Sequence, residues 1–234
     1  MAQGIAGVVL AGGAGRRMGG EDKGLIQIAG RPLIAHTLAA FAPQVGAVRI
    51  SANRHHAAYA ALGYPVVADG HAGFLGPLAG IAAGLATAAA ATATEWVAFV
   101  PCDSPLLPAD LVARLYAATV PGAGVGSGAA TGGGIGPGIG PGIGPGIGPG
   151  IDGAVVACNG HWEPVFCLLR RGLLASLDAA LATGERKVGH WLRTQRIVAV
   201  DFSPQAPAFF NANTPAEGRE LAVRLAARAA GPDP

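Results

Sequence analysis

The chain is predicted to fold as an α/β domain built on an open, mostly parallel sheet with helices on both faces. Three observations carry this. Residues 5–10 and 96–100 are apolar runs with no polar alternation, the pattern of parallel strands buried on both faces. Helix-period segments alternate with strand-like ones along most of the chain, which is the βαβ rhythm. The first apolar run also opens directly into Leu10-Ala-Gly-Gly-Ala-Gly-Arg-Arg-Met-Gly-Gly-Glu-Asp-Lys23, a glycine-rich loop of the kind α/β proteins use to bring phosphate oxygens to backbone N–H groups.

The elements follow in order. After the strand at 5–10 and its loop, Pro32 stands in a helix's first turn, where its missing N–H costs nothing. Leu33, Ile34, Leu38 and Phe41 mark one face of that helix. Residues 45–52 read as a second strand and 64–68 as a short third. An Ala-rich helix is expected from about residue 76. No charge occurs between Ala72 and Thr94, yet this is not read as a membrane span. Its large apolar residues, Leu75, Leu78, Ile81 and Leu85, form one stripe among small residues, which suits a helix packed closely on a sheet. Residues 96–100 form the fourth strand and 107–118 a helix.

Four Gly-Ile-Gly-Pro repeats at 134–149 then break the rhythm. The period of four is not that of a collagen helix, and no amphipathic pattern is present. Residues 121–151 are expected to be a flexible surface insertion, since loop closure costs only ~0.6 kcal/mol per doubling of length. Beyond it, 154–158 and 164–169 read as strands, 173–182 and 187–192 as helices, and 197–202 as a strand. Thr214-Pro215-Ala216-Glu217 is a capping box that opens a last helix to about residue 229.

At 234 residues the chain suits a single domain. It divides into a nucleotide-binding half, about 1–120, the insertion at 121–151, and a substrate-binding half at 152–234. The net charge of +2 excludes a large basic surface for nucleic acid or an acidic membrane. Three cysteines, an odd number without metal-ligand spacing, favour a reducing cytoplasm. No signal-like segment opens the chain.

The glycine loop is not a dinucleotide fingerprint. Reading from Gly12, position 14 is alanine and position 17 arginine. Reading from Gly13, the pattern fails at Met18. No Gly-Lys-Ser/Thr occurs, so it is not a Walker loop either. It carries Arg16, Arg17 and Lys23, more positive charge than a dinucleotide needs and suited to chemistry on a triphosphate. In an open parallel sheet, ligands bind at the carboxyl ends of the strands. The glycine loop, Asn53, Asp69 and Asp103 all fall there. Asp103, in Val100-Pro-Cys-Asp-Ser-Pro105, is placed to hold Mg²⁺ against phosphate oxygens; alone, it could equally order a turn before Pro105. Asn53 and Asp69 could read a base or ribose, or merely close loops. His55, His56 and His71 form no ligand set with the cysteines. Cys102 has no His-plus-acid arrangement nearby, and no serine-hydrolase elbow exists.

Leu-Ala-Gly-Gly, Arg-Met-Gly-Gly and Asp22-Lys23-Gly24 together resemble the molybdenum cofactor guanylyltransferases, the MobA-type nucleotidyltransferases, over residues 5–228. The repeat at 134–149 departs from that pattern. The resemblance implies a Rossmann-like fold of the nucleotide-diphospho-sugar transferase kind. It implies a transferase that moves GMP from GTP onto molybdenum-bound molybdopterin, with Mg²⁺ as cofactor and pyrophosphate as second product. Catalytic roles are implied for Lys23, Arg17 and Asp103. Nucleotide contacts are implied for Leu10, Ala11, Gly12, Gly13, Lys23, Asn53, Asp69 and Asp103, with the metal on Asp103. Asn211 and Asn213, in Asn-Ala-Asn-Thr-Pro, are candidate substrate contacts. Other molybdenum cofactor biosynthesis proteins or molybdoenzyme chaperones are the implied partners.

Two other readings stand beside this one. The first is a cytidylyltransferase on the same or another phosphorylated substrate. Gly12-Gly13 and Asp22-Lys23-Gly24 lean away from it, because cytidine relatives more often show Ala-Ala-Gly. The second is a non-catalytic nucleotide-binding module or a dinucleotide-dependent oxidoreductase. The glycine spacing opposes it, as does Asn53 where an acidic ribose reader normally follows the second strand.

Overall fold

The computed structural model describes residues 4–12, 22–69, 76–89, 94–120, 150–211 and 214–230. The expected insertion at 121–151, except its last two residues, lies outside them. So do Gly13, Arg16, Arg17, His71, Leu75 and Asn213.

The chain runs β1 (Ile5–Leu10), β2 (Gln27–Ile28), β3 (Arg31–Pro32), α1 (Leu33–Phe41), β4 (Ala47–Ser51), α2 (His56–Ala60), β5 (Val66–Val67), α3 (Pro77–Ala89), β6 (Trp96–Pro101) and α4 (Leu111–Ala117). It continues with β7 (Gly153–Cys158), β8 (His161–Arg170), α5 (Leu174–Ala182), α6 (Val188–Leu192), β9 (Ile197–Asp201) and α7 (Pro215–Ala230). Seven strands form one sheet in the order β5-β4-β1-β6-β8-β7-β9, and β2-β3 forms a separate hairpin. All neighbours are parallel except β8, which is antiparallel to both β6 and β7.

Alternate residues of the strands feed two cores. Ile5 and Val9 pack with α1, α4 and the buried Tyr59 of α2 on one face. Ala6, Val8 and Leu10 pack with α3, α5 and α6 on the other. In α3 the predicted stripe holds for its described members, with Leu78, Ile81 and Leu85 fully buried. Its small residues explain the close seat on the sheet. A Cβ at Gly84 would stand 2.6 Å from the Phe99 ring and 3.0 Å from Val8. No helix among the described residues is long and apolar enough to cross a membrane.

The clearest differences from the sequence reading are two boundaries and one hairpin that it did not predict. Helix α4 begins at Leu111, not 107, because Leu107 precedes Pro108 and a residue before proline is pushed out of the α region. Strand β8 begins at His161, because Asn159 and Gly160 both adopt positive φ, 51° and 78°, as a tight hairpin turn requires. Asn-Gly is a strong hairpin signal, and it joins two strands that the sequence reading keeps apart. The β2-β3 hairpin, turned by Ala29 and Gly30 at φ 48° and 76°, has only a weak signature. The capping box forms at α7: Thr214 Oγ1 accepts from the Glu217 N–H at 3.2 Å and donates to the Glu217 carboxylate at 3.1 Å.

Candidate active site

The strand ends bring the predicted polar residues together. Ala11 N–H donates to the Ser51 carbonyl at 2.8 Å, Ala52 N–H to Val67 at 3.0 Å and Cys102 N–H to Leu10 at 3.0 Å. These bonds carry the ladder one position past β1, β4 and β6. Gly12, Asn53 and Asp103 are then the next residues on each branch. Leu10 and Ala11 are buried. A Cβ at Gly12 would lie 3.9 Å from Asn53 Nδ2, so Gly12 runs beside the Asn53 amide. Asn53 Oδ1 accepts from the Asp69 N–H at 3.0 Å, which draws the end of β5 to the end of β4. The two residues proposed to read a base are thus neighbours.

Lys23 and Asp103 meet across 80 residues: Lys23 Nζ donates to Asp103 Oδ2. Their side chains keep 22% and 12% of their accessible surface. The positioning of Lys23 is local. It opens a 3-10 turn, Lys23–Leu25, whose N-cap is Asp22, and Asp22 Oδ1 accepts from the Gly24 N–H at 3.3 Å. The same carboxylate oxygen accepts from the Tyr59 hydroxyl. Tyr59 is fully buried. Burial, then the neighbouring Cys102 and Asp22, pushes its phenol well above the usual range, so it remains a donor at any physiological pH. Gly24 is required for this approach, since a Cβ there would lie 2.7 Å from the Tyr59 oxygen.

Cys102 backs the same corner. Burial, with the charges of Asp103 and Asp22 next, pushes its thiol up, which argues against a nucleophilic thiolate. Asn211 is also drawn in, because the buried Ser104, next to Asp103, donates its hydroxyl to Asn211 Oδ1. His55 and His56 are exposed, and no group of three metal-ligating side chains occurs among the described residues. Arg17, Gly13 and Asn213 lie outside those residues.

Sequence reasoning missed Tyr59 and the capping role of Asp22. Asp22 had a signal, an Asp one residue before the functional Lys. Tyr59 had none, because it arrives from a different βα unit.

Comparisons with known proteins follow the same lines. Residues 7–199 match the MobA-like NTP transferase domain. A molybdenum cofactor guanylyltransferase of Shewanella sp. (strain W3-18-1) is 39% identical over 226 residues, covering 96% of this chain and 99% of its own. Another, from Shewanella baltica (strain OS155 / ATCC BAA-1091), is 40% identical over 227 residues with the same coverage. Among solved structures, molybdopterin-guanine dinucleotide biosynthesis protein A from Archaeoglobus fulgidus superposes with a TM-score of 0.68 at 20% identity, covering 95% of this chain and 99% of its own. A 4-diphosphocytidyl-2C-methyl-D-erythritol synthase from Anaerococcus prevotii gives 0.63 at 11% identity, with 97% and 100% covered. At those identities the structural likeness speaks for the fold alone, and the two named activities use different bases.

Proposed function

The chain belongs to the MobA-like NTP transferase family, and from that premise we infer that it is a molybdenum cofactor guanylyltransferase. It transfers GMP from GTP to the terminal phosphate of molybdenum-bound molybdopterin and releases pyrophosphate. The observation that carries this reading is the Lys23–Asp103 pair at the carboxyl ends of β1 and β6, beside the glycine loop. The near-full-length relatives, named for that activity, supply the choice of base and acceptor.

The substrate phosphate attacks the α-phosphorus of GTP. One P–O bond forms, the α–β bridging bond breaks, and its electron pair leaves with pyrophosphate. No protein nucleophile is needed, in keeping with a buried, protonated Cys102. Rate comes from positioning and charge stabilisation. Lys23 moves from Asp103 to the triphosphate and follows the charge that develops on the leaving group. Arg17 is assigned a forked contact to phosphate, and the backbone N–H groups of Gly12 and Gly13 are assigned to cradle it, since the Ala11 N–H is taken by Ser51. Asn53 and Asp69 take the guanine, whose ring N–H and amino group form a donor pair that a carboxylate accepts. Asn211 and Asn213 are assigned to the acceptor side.

The donor chemistry at Asp103 fits Mg²⁺, which is commonly held by one or two carboxylates together with substrate phosphate oxygens. When bound, it neutralises charge on the triphosphate. We assign the protein to the cytoplasm, where its cysteines stay reduced, and other cofactor-biosynthesis proteins as its partners.

The test is pyrophosphate release and dinucleotide formation from molybdenum-bound molybdopterin with GTP or CTP and Mg²⁺. Turnover with GTP and little with CTP is expected. Preference for CTP overturns the base assignment, and binding without pyrophosphate release overturns the enzyme.

A further inference from the structure

Lys23 and Asp103 meet at the strand ends, yet the two halves of the pair are anchored separately. On the Asp103 side the chain leaves β6 through Cys102. Its N–H donates to the Leu10 carbonyl at 3.0 Å, and its carbonyl accepts from the hydroxyl of the buried Thr37, on α1, at 3.0 Å. A helical threonine commonly turns its hydroxyl back onto its own helix. Here it reaches 65 positions along the chain to hold the peptide that precedes Asp103. On the Lys23 side the 3-10 turn Lys23–Leu25 is held at both ends. Downstream, α1 donates the Leu33 N–H to the Ile26 carbonyl at 2.9 Å and His36 Nε2 to the Ile28 carbonyl at 2.8 Å. Upstream, among the described residues, the anchor is the Asp22 carboxylate.

That upstream anchor is itself held from another βα unit. Tyr59 is fully buried in the core, and a buried tyrosine normally brings its hydroxyl to a partner. The partner here is Asp22, 37 positions away, through the same oxygen that accepts from the Gly24 N–H. Gly24 leaves room for this, since a Cβ there would stand 2.7 Å from the Tyr59 oxygen. Lys23 follows Asp22 directly, and its charge hangs at the end of a flexible four-carbon stem. A small rotation of the turn at Asp22 therefore moves Nζ further than it moves the backbone. Misplacing a reacting group by about 1 Å costs on the order of 10²-fold in rate. The anchors on the Asp103 side, Leu10 and Thr37, involve neither Tyr59 nor Asp22, so a loosened turn acts through Lys23 alone.

We propose that Tyr59 and Asp22 act as one positioning unit for nucleotidyl transfer: the hydroxyl fixes the carboxylate, the carboxylate fixes the Lys23 turn, and Lys23 is thereby aimed at the charge that develops on the leaving pyrophosphate. The assignment rests on the guanylyl-transfer reading. It makes both residues positioning residues and neither a substrate contact. The unit therefore controls the rate of the transfer step and leaves the affinity for GTP nearly untouched, the pattern of an interaction realised in the transition state.

The experiment is a double-mutant cycle on the full chain, with Tyr59→Phe, Asp22→Ala and the double variant. It is read by pyrophosphate release with GTP, molybdenum-bound molybdopterin and Mg²⁺, and by melting temperature. The kcat falls about tenfold in Tyr59→Phe and at least as far in Asp22→Ala, with KM for GTP within about twofold of the wild type. The double variant is no slower than Asp22→Ala, because removing the carboxylate already disconnects the hydroxyl. It also melts above Asp22→Ala, which leaves a buried hydroxyl without its acceptor. Tyr59→Phe keeps the ring and reports by itself if Asp22→Ala fails to fold. A wild-type kcat in Tyr59→Phe, with only the melting temperature lowered, makes the bond purely structural and overturns the proposal. Losses of kcat that multiply in the double variant overturn the single unit. A KM for GTP that rises in place of a fallen kcat makes the residues nucleotide contacts and overturns it as well. Each of these leaves guanylyl transfer standing, whereas a wild type that releases no pyrophosphate removes the transfer reading and the positioning role with it.

Discussion

At the amino edge of the sheet, Asp152 and Arg170 each meet protein partners that tie neighbouring strands together. Asp152, just before β7, accepts from the Arg196 N–H and Nε at 3.1 Å and from Nη2 at 2.8 Å, just before β9. Arg170, at the end of β8, reaches Glu95 at 2.8 Å, donates to the Ile151 carbonyl at 3.0 Å and lies over Trp96. At the carboxyl edge, Asn53, Asp69 and Asp103 each stand two positions beyond a strand, and Lys23 reaches Asp103 from the 3-10 turn Lys23–Leu25. Asp22 and Tyr59 hold Lys23 in place from behind. Both edges carry carboxylates and cations, but their use differs. Where a neighbouring strand supplies every donor, a carboxylate is structural. Where a carboxylate meets one long cation beyond the strand ends, the proposed triphosphate can displace that cation.

Variants at the two edges separate these uses. The largest expected effect is at the carboxyl edge: Lys23→Ala and Asp103→Ala each lower kcat by about 10²–10³, the scale of losing one preorganised charge contact. Near-normal pyrophosphate release in either variant makes that edge structural too and breaks the contrast. At the amino edge, Asp152→Ala strands a nearly buried guanidinium whose side chain is 14% exposed. It lowers the melting temperature, while the folded fraction keeps its kcat. A fall in kcat at unchanged melting temperature contradicts this.

Tyr59→Phe sharpens the middle case. The ring still packs, only the bond to Asp22 is lost, and stability falls by about 1 kcal/mol. Since Lys23 loses its support, kcat falls about tenfold with KM for GTP nearly unchanged. A purely structural tyrosine leaves kcat alone.

The smallest effect is the pH dependence of Glu163. Burial raises its folded-state pKa above the ordinary value of 4.5. The unfolded chain therefore loses the proton first, and stability falls as pH rises from the unfolded to the folded pKa. The penalty is absent below that window and complete above it. Glu163→Gln should melt slightly higher than the wild type at neutral pH, and the gap should close under acid. A constant gap across pH removes the ionisation argument.

Much of the site was legible because it obeys one-dimensional rules. Apolar runs without alternation marked β1 and β6, and so placed Gly12 and Asp103 two positions past the strand ends. Asn53 and Asp69 followed from the same rule, and their contact agrees with it. The rule failed where a partner came from elsewhere in the chain. No sequence pattern marked Tyr59 or the short helix α2 that carries it. Glu163 looked like a loop residue until the Asn159-Gly160 turn extended β8 past it.

The sequence by itself determined the main strands of the large sheet, which of their ends carry polar residues, and where the glycine-rich segment follows β1, because burial pattern and glycine content are local properties. Only the tertiary structure decided that Lys23 would meet Asp103, that Tyr59 would donate to the cap of the Lys23 turn, and that one set of charges would tie strands together while the other pair would stand at the carboxyl edge. Those outcomes depend on strand order and on which edge each strand end reaches. The sheet sets both by packing residues far apart in the chain, and no local pattern encodes that arrangement.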